Sequence, residues 1–404
     1  MKKLLRKLHI PVTARDWHSL FGMLFLLIFM FFFVTGTLSV FGREIDWVFT
    51  PEQRVAVAAE GKQPLGDIFD AVRESHPDAQ PLSILRLPAA RFADHVTVRV
   101  VGQGKQVVYV DPYRAVVQGV GPVDNLWSSL RELHRALSSD SRAVMVLVTL
   151  MTLPLAGMLI TSLILYPRFY RGFLSLPKRG ARLRAQLSDL HRFIGAWSVV
   201  FITVLVLTTA EFMLESLGLG PKFYASYAQP AQEGAPPLPP GFSGAELDKS
   251  IALAVKKYPG LQVSDVLLPS RNGEPLALRG ELTGKLARPS ANSVSFDPFT
   301  LELRGAHRVE TSGTGLWIFE AMRVLHYGSF AGLLSRILWL IFGLGVSVLA
   351  ALGALIYAER LNFMAERSEK IQQRTRIGHI WIGMGPGKWV GAGVLIAAIW
   401  WTIQ

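Results

Sequence analysis

The sequence contains no cysteine. Disulfides, thiolate metal sites and iron–sulfur clusters are therefore excluded, since each needs a thiol sulfur. Domains of about 100 residues fold without disulfides, so the absence does not argue against external domains. Charge is also scarce, at 18% of 404 residues against roughly 25% in an ordinary soluble domain. There is no Walker loop, no glycine-rich dinucleotide fingerprint and no serine-elbow motif, which argues against a bound nicotinamide or flavin domain.

What the chain has instead is apolar length. Half of its residues are hydrophobic, and uncharged runs cover Ser19–Phe41, Ala143–Tyr166, Phe193–Ala210 and Ile337–Ala358, with a shorter one at Trp389–Gln404. A bilayer core of about 30 Å needs roughly 20 such residues per helix, so the fold class is a polytopic α-helical membrane bundle of four core spans and a fifth C-terminal one. Pro154 and Gly157 inside the second run are tolerable where neighbouring helices satisfy the freed backbone groups. The first run is too long for a signal peptide, and Arg43-Glu44-Ile45-Asp46 offers no small-residue cleavage site. It is expected to remain as a span.

The formal charge of +12 is unevenly placed. Residues 1–18, 167–192 and 359–388 carry +4, +6 and +3, whereas 43–142 and 211–336 carry −1 and 0. The excess lies in short segments on one side, as the positive-inside rule expects, and not on a nucleic-acid-binding face. The expected order is a cytoplasmic tail and span 1 (1–42), an external domain (43–142), span 2 (143–166), a basic cytoplasmic loop (167–192), span 3 (193–216), a second external domain (217–336), span 4 (337–358), a cytoplasmic loop (359–388) and a fifth span (389–404).

The chain reads as an internal duplication. His-x-x-x-Gly occurs as "HSLFG" (His18–Gly22) and "HRFIG" (His191–Gly195), each at the cytoplasmic mouth of an outgoing span. "DPYRAVVQG" and "DPFTLELRG" close the two external domains, and "LRELHRAL" around His134 and "MRVLHYGS" around His326 precede the ingoing spans. Those spans end at Arg168 and Arg360, each 34 residues after its histidine. Each external domain is expected to be a small α+β unit, one helix against an antiparallel sheet. The helices are "PLGDIFDAVRESHP", with Leu65, Ile68 and Val72 on one face, and "SGAELDKSIALAVKKYPG", with a Ser243/Glu246 capping box. Four alternating runs follow each helix, and Ala228–Gly241 reads as a Pro-rich linker.

His18 and His191 mark the cytoplasmic edge, and His134 and His326 the outer edge. Two layers of two neutral imidazoles suit two six-coordinate b-type haems, each iron taking one axial nitrogen from either side. Gly22 and Gly195, one turn after their histidines, would let a flat macrocycle approach the backbone. Arg15, Arg192, Arg142 and Arg336 are candidate propionate partners, or ordinary interfacial anchors. His134 precedes Ala143 by nine residues, so a break at Ser138–Ser141 with its own N-cap is expected, laying the preceding helix along the interface. The stretch Phe29–Phe33 either lines the gap between haems or faces lipid. Of the other histidines, His76, His95 and His307 lie on surface-type segments, His9 in the basic tail, and His379 is interfacial or an alternative ligand. Glu211 and Glu215, just beyond span 3, read as interfacial carboxylates or as acidic groups that meet iron.

At these residues the sequence resembles the PepSY-associated transmembrane family, which includes FoxB-like inner-membrane siderophore reductases. The resemblance rests on the paired His-bearing spans, the external domains closing on Asp-Pro and the Leu-His before each ingoing span. It implies two PepSY-like periplasmic domains and a di-haem bundle ligated by His18, His191, His134 and His326. That bundle would pass electrons from a cytoplasmic reductase or membrane quinol to a ferric siderophore or other ferric chelate. Fe(III) binds hard oxygen donors tightly and Fe(II) less so, so one-electron reduction releases the metal without cutting its ligand. Two further readings stand beside it. One is a haem-free inner-membrane anchor whose external domains bind peptides or regulate an envelope protease. The other is a di-haem donor to a different periplasmic acceptor.

Overall fold

A computed structural model of the chain describes residues 13–176, 182–219, 236–282, 286–311, 313–367 and 373–403. His9, most of the Pro-rich linker (228–235) and Gln404 lie outside the described residues. In chain order the elements begin with helices α1 (Ala14–Leu24), α2 (Leu26–Val40), α3 (Gly42–Phe49) and α4 (Leu65–Ser75). Strands β1 (Ala79–Leu85), β2 (Asp94–Val100), β3 (Gly104–Asp111) and β4 (Val116–Pro122) follow, then α5 (Leu126–Ala136), α6 (Arg142–Thr149), α7 (Thr152–Leu165), α8 (Leu183–Ser216) and α9 (Gly244–Lys257). The remainder is β5 (Gln262–Leu267), β6 (Leu276–Glu281), β7 (Asn292–Phe296), β8 (Leu303–His307), α10 (Thr314–Tyr327), α11 (Gly332–Ala365), α12 (Arg376–Gly383) and α13 (Gly387–Ile403). They form two compact units. One comprises Met1–Gly42, Ser129–Gly220 and Leu325–Gln404, the other Arg43–Ser128 and Pro221–Val324.

In the first unit, Arg142–Leu165, Leu183–Ser216 and Gly332–Ala365 are each long and apolar enough to cross a membrane. The outer two expected spans are bent pairs: α1 and α2 meet at 66°, and α12 and α13 at 89°. The first bend falls at Phe25, inside an apolar run with no Pro or Gly beside it. Packing accompanies it: a Cβ at Gly387, the start of α13, would collide with the Leu24 carbonyl. Only glycine lets α13 begin against the end of α1. Met23, Leu26, Ala354 and Met384 bury the contact around them. The expected break after His134 is present, with Leu137 and Ser138 at φ 52° and 60°. Ser141 occupies the N-cap position of α6 but its side chain makes no capping bond.

The second unit corrects one expectation. The two α+β halves are not separate domains. Their strands form one antiparallel sheet of eight in the order β4-β3-β2-β1-β5-β6-β7-β8. The first strand of each half supplies the seam, Ser83 opposite Leu267, Ile84 opposite Val266 and Leu85 opposite Asp265. Fusing the halves removes two exposed strand edges and joins their cores. Ile84, Val96, Val98, Val108, Val266, Leu278 and Val294 all point to the helix-covered face with α4 and α9. The helices also cap one another: Gly66 N donates to Asp248 Oδ1 (2.9 Å) and Gly244 N to Asp70 Oδ1 (2.7 Å). Each aspartate accepts a bond that the other helix's first turn cannot make internally. The Ser243/Glu246 capping box forms as the sequence suggests.

The opposite face of the sheet is partly covered, which overturns the surface reading of His95. A small cavity there is lined by Arg43, Asp46, Gln53, Leu85, His95 and Trp127, among others. His95 Nε2 is buried with no partner among the described residues, and its ring meets Tyr109 edge-on at 5.0 Å. Burial, and then the nearby Arg43 charge, hold the imidazole down to a pKa of about 4. Sequence alternation places His95 on the sheet's polar face but does not show that residues 46–55 lie over it. His307 is half-buried, and burial outweighs the nearby Glu320 carboxylate in lowering its pKa.

Candidate functional site

The four histidines singled out from the sequence meet in two pairs within the helical unit. The rings of His18 (α1) and His191 (α8) lie 6.4 Å apart between centroids, with planes at 89°. Those of His134 (α5) and His326 (α10) lie 6.3 Å apart, at 40°. On α8, His191 belongs to one pair, and Thr208, seventeen residues later, hydrogen-bonds His326 of the other. At 1.5 Å per residue, the two levels are roughly 25 Å apart along that helix.

Threonines that the sequence reading passed over orient three of the four rings. Thr161 Oγ1 lies 3.2 Å from His18 Nδ1, Thr35 Oγ1 3.1 Å from His134 Nδ1, and Thr208 Oγ1 2.9 Å from His326 Nδ1. Each hydroxyl has one proton, which is assigned to its own helix, on the carbonyl of Gly157 (2.7 Å), Phe31 (2.8 Å) or Val204 (2.8 Å). Towards the histidine the oxygen can then only accept. The network therefore assigns the Nδ1–H tautomer to all three, leaving a lone pair on Nε2. A signal was available: Thr35 follows His18 by seventeen residues, and Thr208 follows His191 by the same interval.

Glycines make room for the rings. A Cβ at Gly36 would lie 2.7 Å from His134 Cε1, too close to tolerate. At Gly22 and Gly195 a Cβ would touch the ends of Met158 (3.6 Å) and Leu349 (3.7 Å), so these two glycines face neighbouring helices across ordinary contact distances.

Two imidazoles that share one metal have a predictable spacing. A metal–imidazole bond is about 2.0 Å, and the nitrogen sits roughly 1 Å from its ring centroid, giving centroids roughly 6 Å apart. Both pairs match. No group of three or more His, Asp or Glu side chains fit to hold a metal occurs among the described residues. A haem iron, whose macrocycle supplies its other donors, asks only axial ligands of the chain. The residues present fit a haem iron held through two Nε2 atoms.

The arginines are differently engaged. Arg336 donates to the Val40 carbonyl at the end of α2 (2.6 Å) and lies over the Phe41 ring. Arg142 donates to the Ser216 carbonyl at the end of α8 (2.8 Å). Both satisfy helix C-terminal acceptors and favour the dipole there. Arg192 pairs with Asp189 on its own helix, and Arg15 is exposed on α1. His379 is buried on α12, and its Nε2 has no partner among the described residues. Phe29 and Phe201 are buried at positions between the two histidine levels, Phe29 stacked on Phe33 and Phe201 on Phe342.

Comparison with known families assigns residues 15–360 to the PepSY-associated TM region. No curated protein matches the chain. The match covers most of the sequence, and the chain belongs to the PepSY-associated TM family.

Proposed function

We propose that this family member is a di-haem b electron-transfer protein of the bacterial inner membrane. It would reduce ferric siderophores or similar ferric chelates outside the membrane with electrons from a cytoplasmic reductase or quinol. The observation that carries the reading is the double pairing, with two sets of imidazoles at 6.3–6.4 Å and two levels within one bundle. An internal duplication accounts for it, since each half contributes one ligand to each level. The charge distribution supports a cytoplasmic side at residues 1–18, 167–192 and 359–388, with the eight-stranded unit in the periplasm.

Haem, when bound, supplies one-electron redox chemistry that no side chain here has. The chain's own residues do the rest. His18, His191, His134 and His326 present neutral nitrogens, and three threonines fix which nitrogen is free. Phe29 and Phe201 lie buried between the two levels, which are roughly 25 Å apart along α8. Each electron delivered converts one Fe(III) in the chelate to Fe(II), whose weaker hold on hard oxygen donors lets the metal leave.

A second reading has an observation of its own. Strands β4 and β8 end the sheet among the described residues, and a sheet edge can take an added strand from a peptide. An absorption spectrum of the purified protein before and after dithionite separates the two readings. A sharp reduced α-band with two haems per chain is expected, and absence of a Soret band refutes the redox reading. A ferrous-trapping assay with several ferric chelates then distinguishes chelate reduction from delivery to another periplasmic acceptor.

A further inference from the structure

His191 differs from the other three histidines. Its Nδ1 is buried, and no acceptor among the described residues meets it with hydrogen-bond geometry. The Leu349 carbonyl is near the ring but does not close that bond. The sequence shows why. Thr161, the partner of His18, lies 27 residues after His134, and the residue 27 after His326 is Gly353. The threonine position of the first half is thus a glycine in the second, and Gly353 faces His191. A Cβ there would sit 3.4 Å from His191 Cε1 and 3.9 Å from Nδ1, an ordinary contact distance. A serine hydroxyl at this position would come within reach of Nδ1. The space for a partner exists, but the chain leaves it empty of side chain.

We infer that the His18–His191 site is asymmetric by construction, with Gly353 withholding from His191 the acceptor that Thr161 gives His18, and that this raises the site's reduction potential. The inference rests on the haem reading above. An acceptor on Nδ1–H draws its proton and makes Nε2 a stronger donor, which favours Fe(III) over Fe(II). His18, His134 and His326 have that support. His191 lacks the hydroxyl, so its hold on an iron would be weaker than that of His18 and would favour the reduced metal. Gly353 and the three threonines are positioning residues, because they act through the ligands.

The test is a potentiometric titration of the full-length, haem-loaded protein, with His18→Ala identifying which of the two components belongs to this site. Gly353→Ser is expected to lower that component's midpoint and leave the other in place. Thr161→Val should raise the same component, and Thr208→Val should raise only the other. Gly353→Ala adds the Cβ without the hydroxyl and should not lower the midpoint. If Ala lowers it as far as Ser, the cause is packing and the inference is overturned. It is also overturned if Gly353→Ser leaves both midpoints where they were or moves them together. Wild-type protein with no haem would instead overturn the underlying function. Nitrogen-15 NMR of labelled histidines in haem-free full-length protein gives a separate readout. Three rings should show the Nδ1–H tautomer, and His191 should join them only in Gly353→Ser; four matching rings in the wild type would refute the asymmetry.

Discussion

His95 offers a prediction whose size follows from its surroundings. The ring is buried against Tyr109 with Nε2 unpartnered among the described residues, and burial followed by the Arg43 charge lowers its pKa from 6.5 to about 4. The folded chain keeps the imidazole neutral, so between those two values the unfolded chain binds more protons. Stability therefore falls as pH drops from 6.5 and levels off below about pH 4. At about 1.4 kcal/mol per pKa unit the full loss is about 3 kcal/mol, of which about 2 kcal/mol has gone by pH 5. Asp94 and Asp265 act in the opposite sense, because burial raises both carboxyl pKa values despite their partners Arg86 and Arg279. The histidine's share is isolated by comparing the wild type with His95→Gln, which has nothing to protonate at that site. Thermal unfolding of the full chain in detergent, followed by tryptophan fluorescence at pH 7 and pH 5, is the assay. The wild type should lose about 2 kcal/mol more than the variant. Equal losses in the two proteins would show that His95 is not held neutral by its burial.

Three other perturbations have defined outcomes. Asp70→Ala and Asp248→Ala each remove a helix-capping acceptor and should cost about 1 kcal/mol; the double variant in a thermodynamic cycle should depart from additivity, since both bonds join the same two helices. Glu320, almost fully buried, holds Arg288 through two bonds of 2.6 and 2.7 Å, so Glu320→Gln should destabilise the sheet-bearing unit by on the order of 3 kcal/mol in a denaturant titration. Gly36→Ala places a methyl 2.7 Å from His134 Cε1. It should lower haem content from two per chain to one by pyridine haemochrome assay, and retention of both would contradict the role given to that glycine.

The sequence is most readable where a periodic pattern meets a buried face. Each strand overlaps an alternating run, though β1 begins three residues before "LSILRLP" and β8 three residues into "TLELRG", and Leu65, Ile68 and Val72 all turn into the core. The four histidines whose rings lie in pairs are those of a motif that occurs twice in the same order. What periodicity does not contain is long-range pairing. Nothing in "LSILRLP" or "VSDVLLP" says that these two runs lie side by side, so the single sheet read as two. The bend at Phe25 has no breaker residue to announce it, and its visible correlate is Gly387, more than 360 residues away. His95 alternates like a surface residue but shares a cavity with Arg43 and Asp46 of α3 and with Gln53 beyond it. The threonines were within reach, since a hydroxyl at the same interval after two histidines in apolar helices calls for a partner.

In the proposed function His18 shares an iron with His191, and His134 shares one with His326. Haem stoichiometry and reduced-minus-oxidised spectra of the four single alanine variants decide whether they do. His18→Ala and His191→Ala should lose the same spectral component, and His134→Ala and His326→Ala the other, with one haem left in every case. A folded variant that loses both haems, or a pair of variants that lose different components where one is expected, would contradict the account.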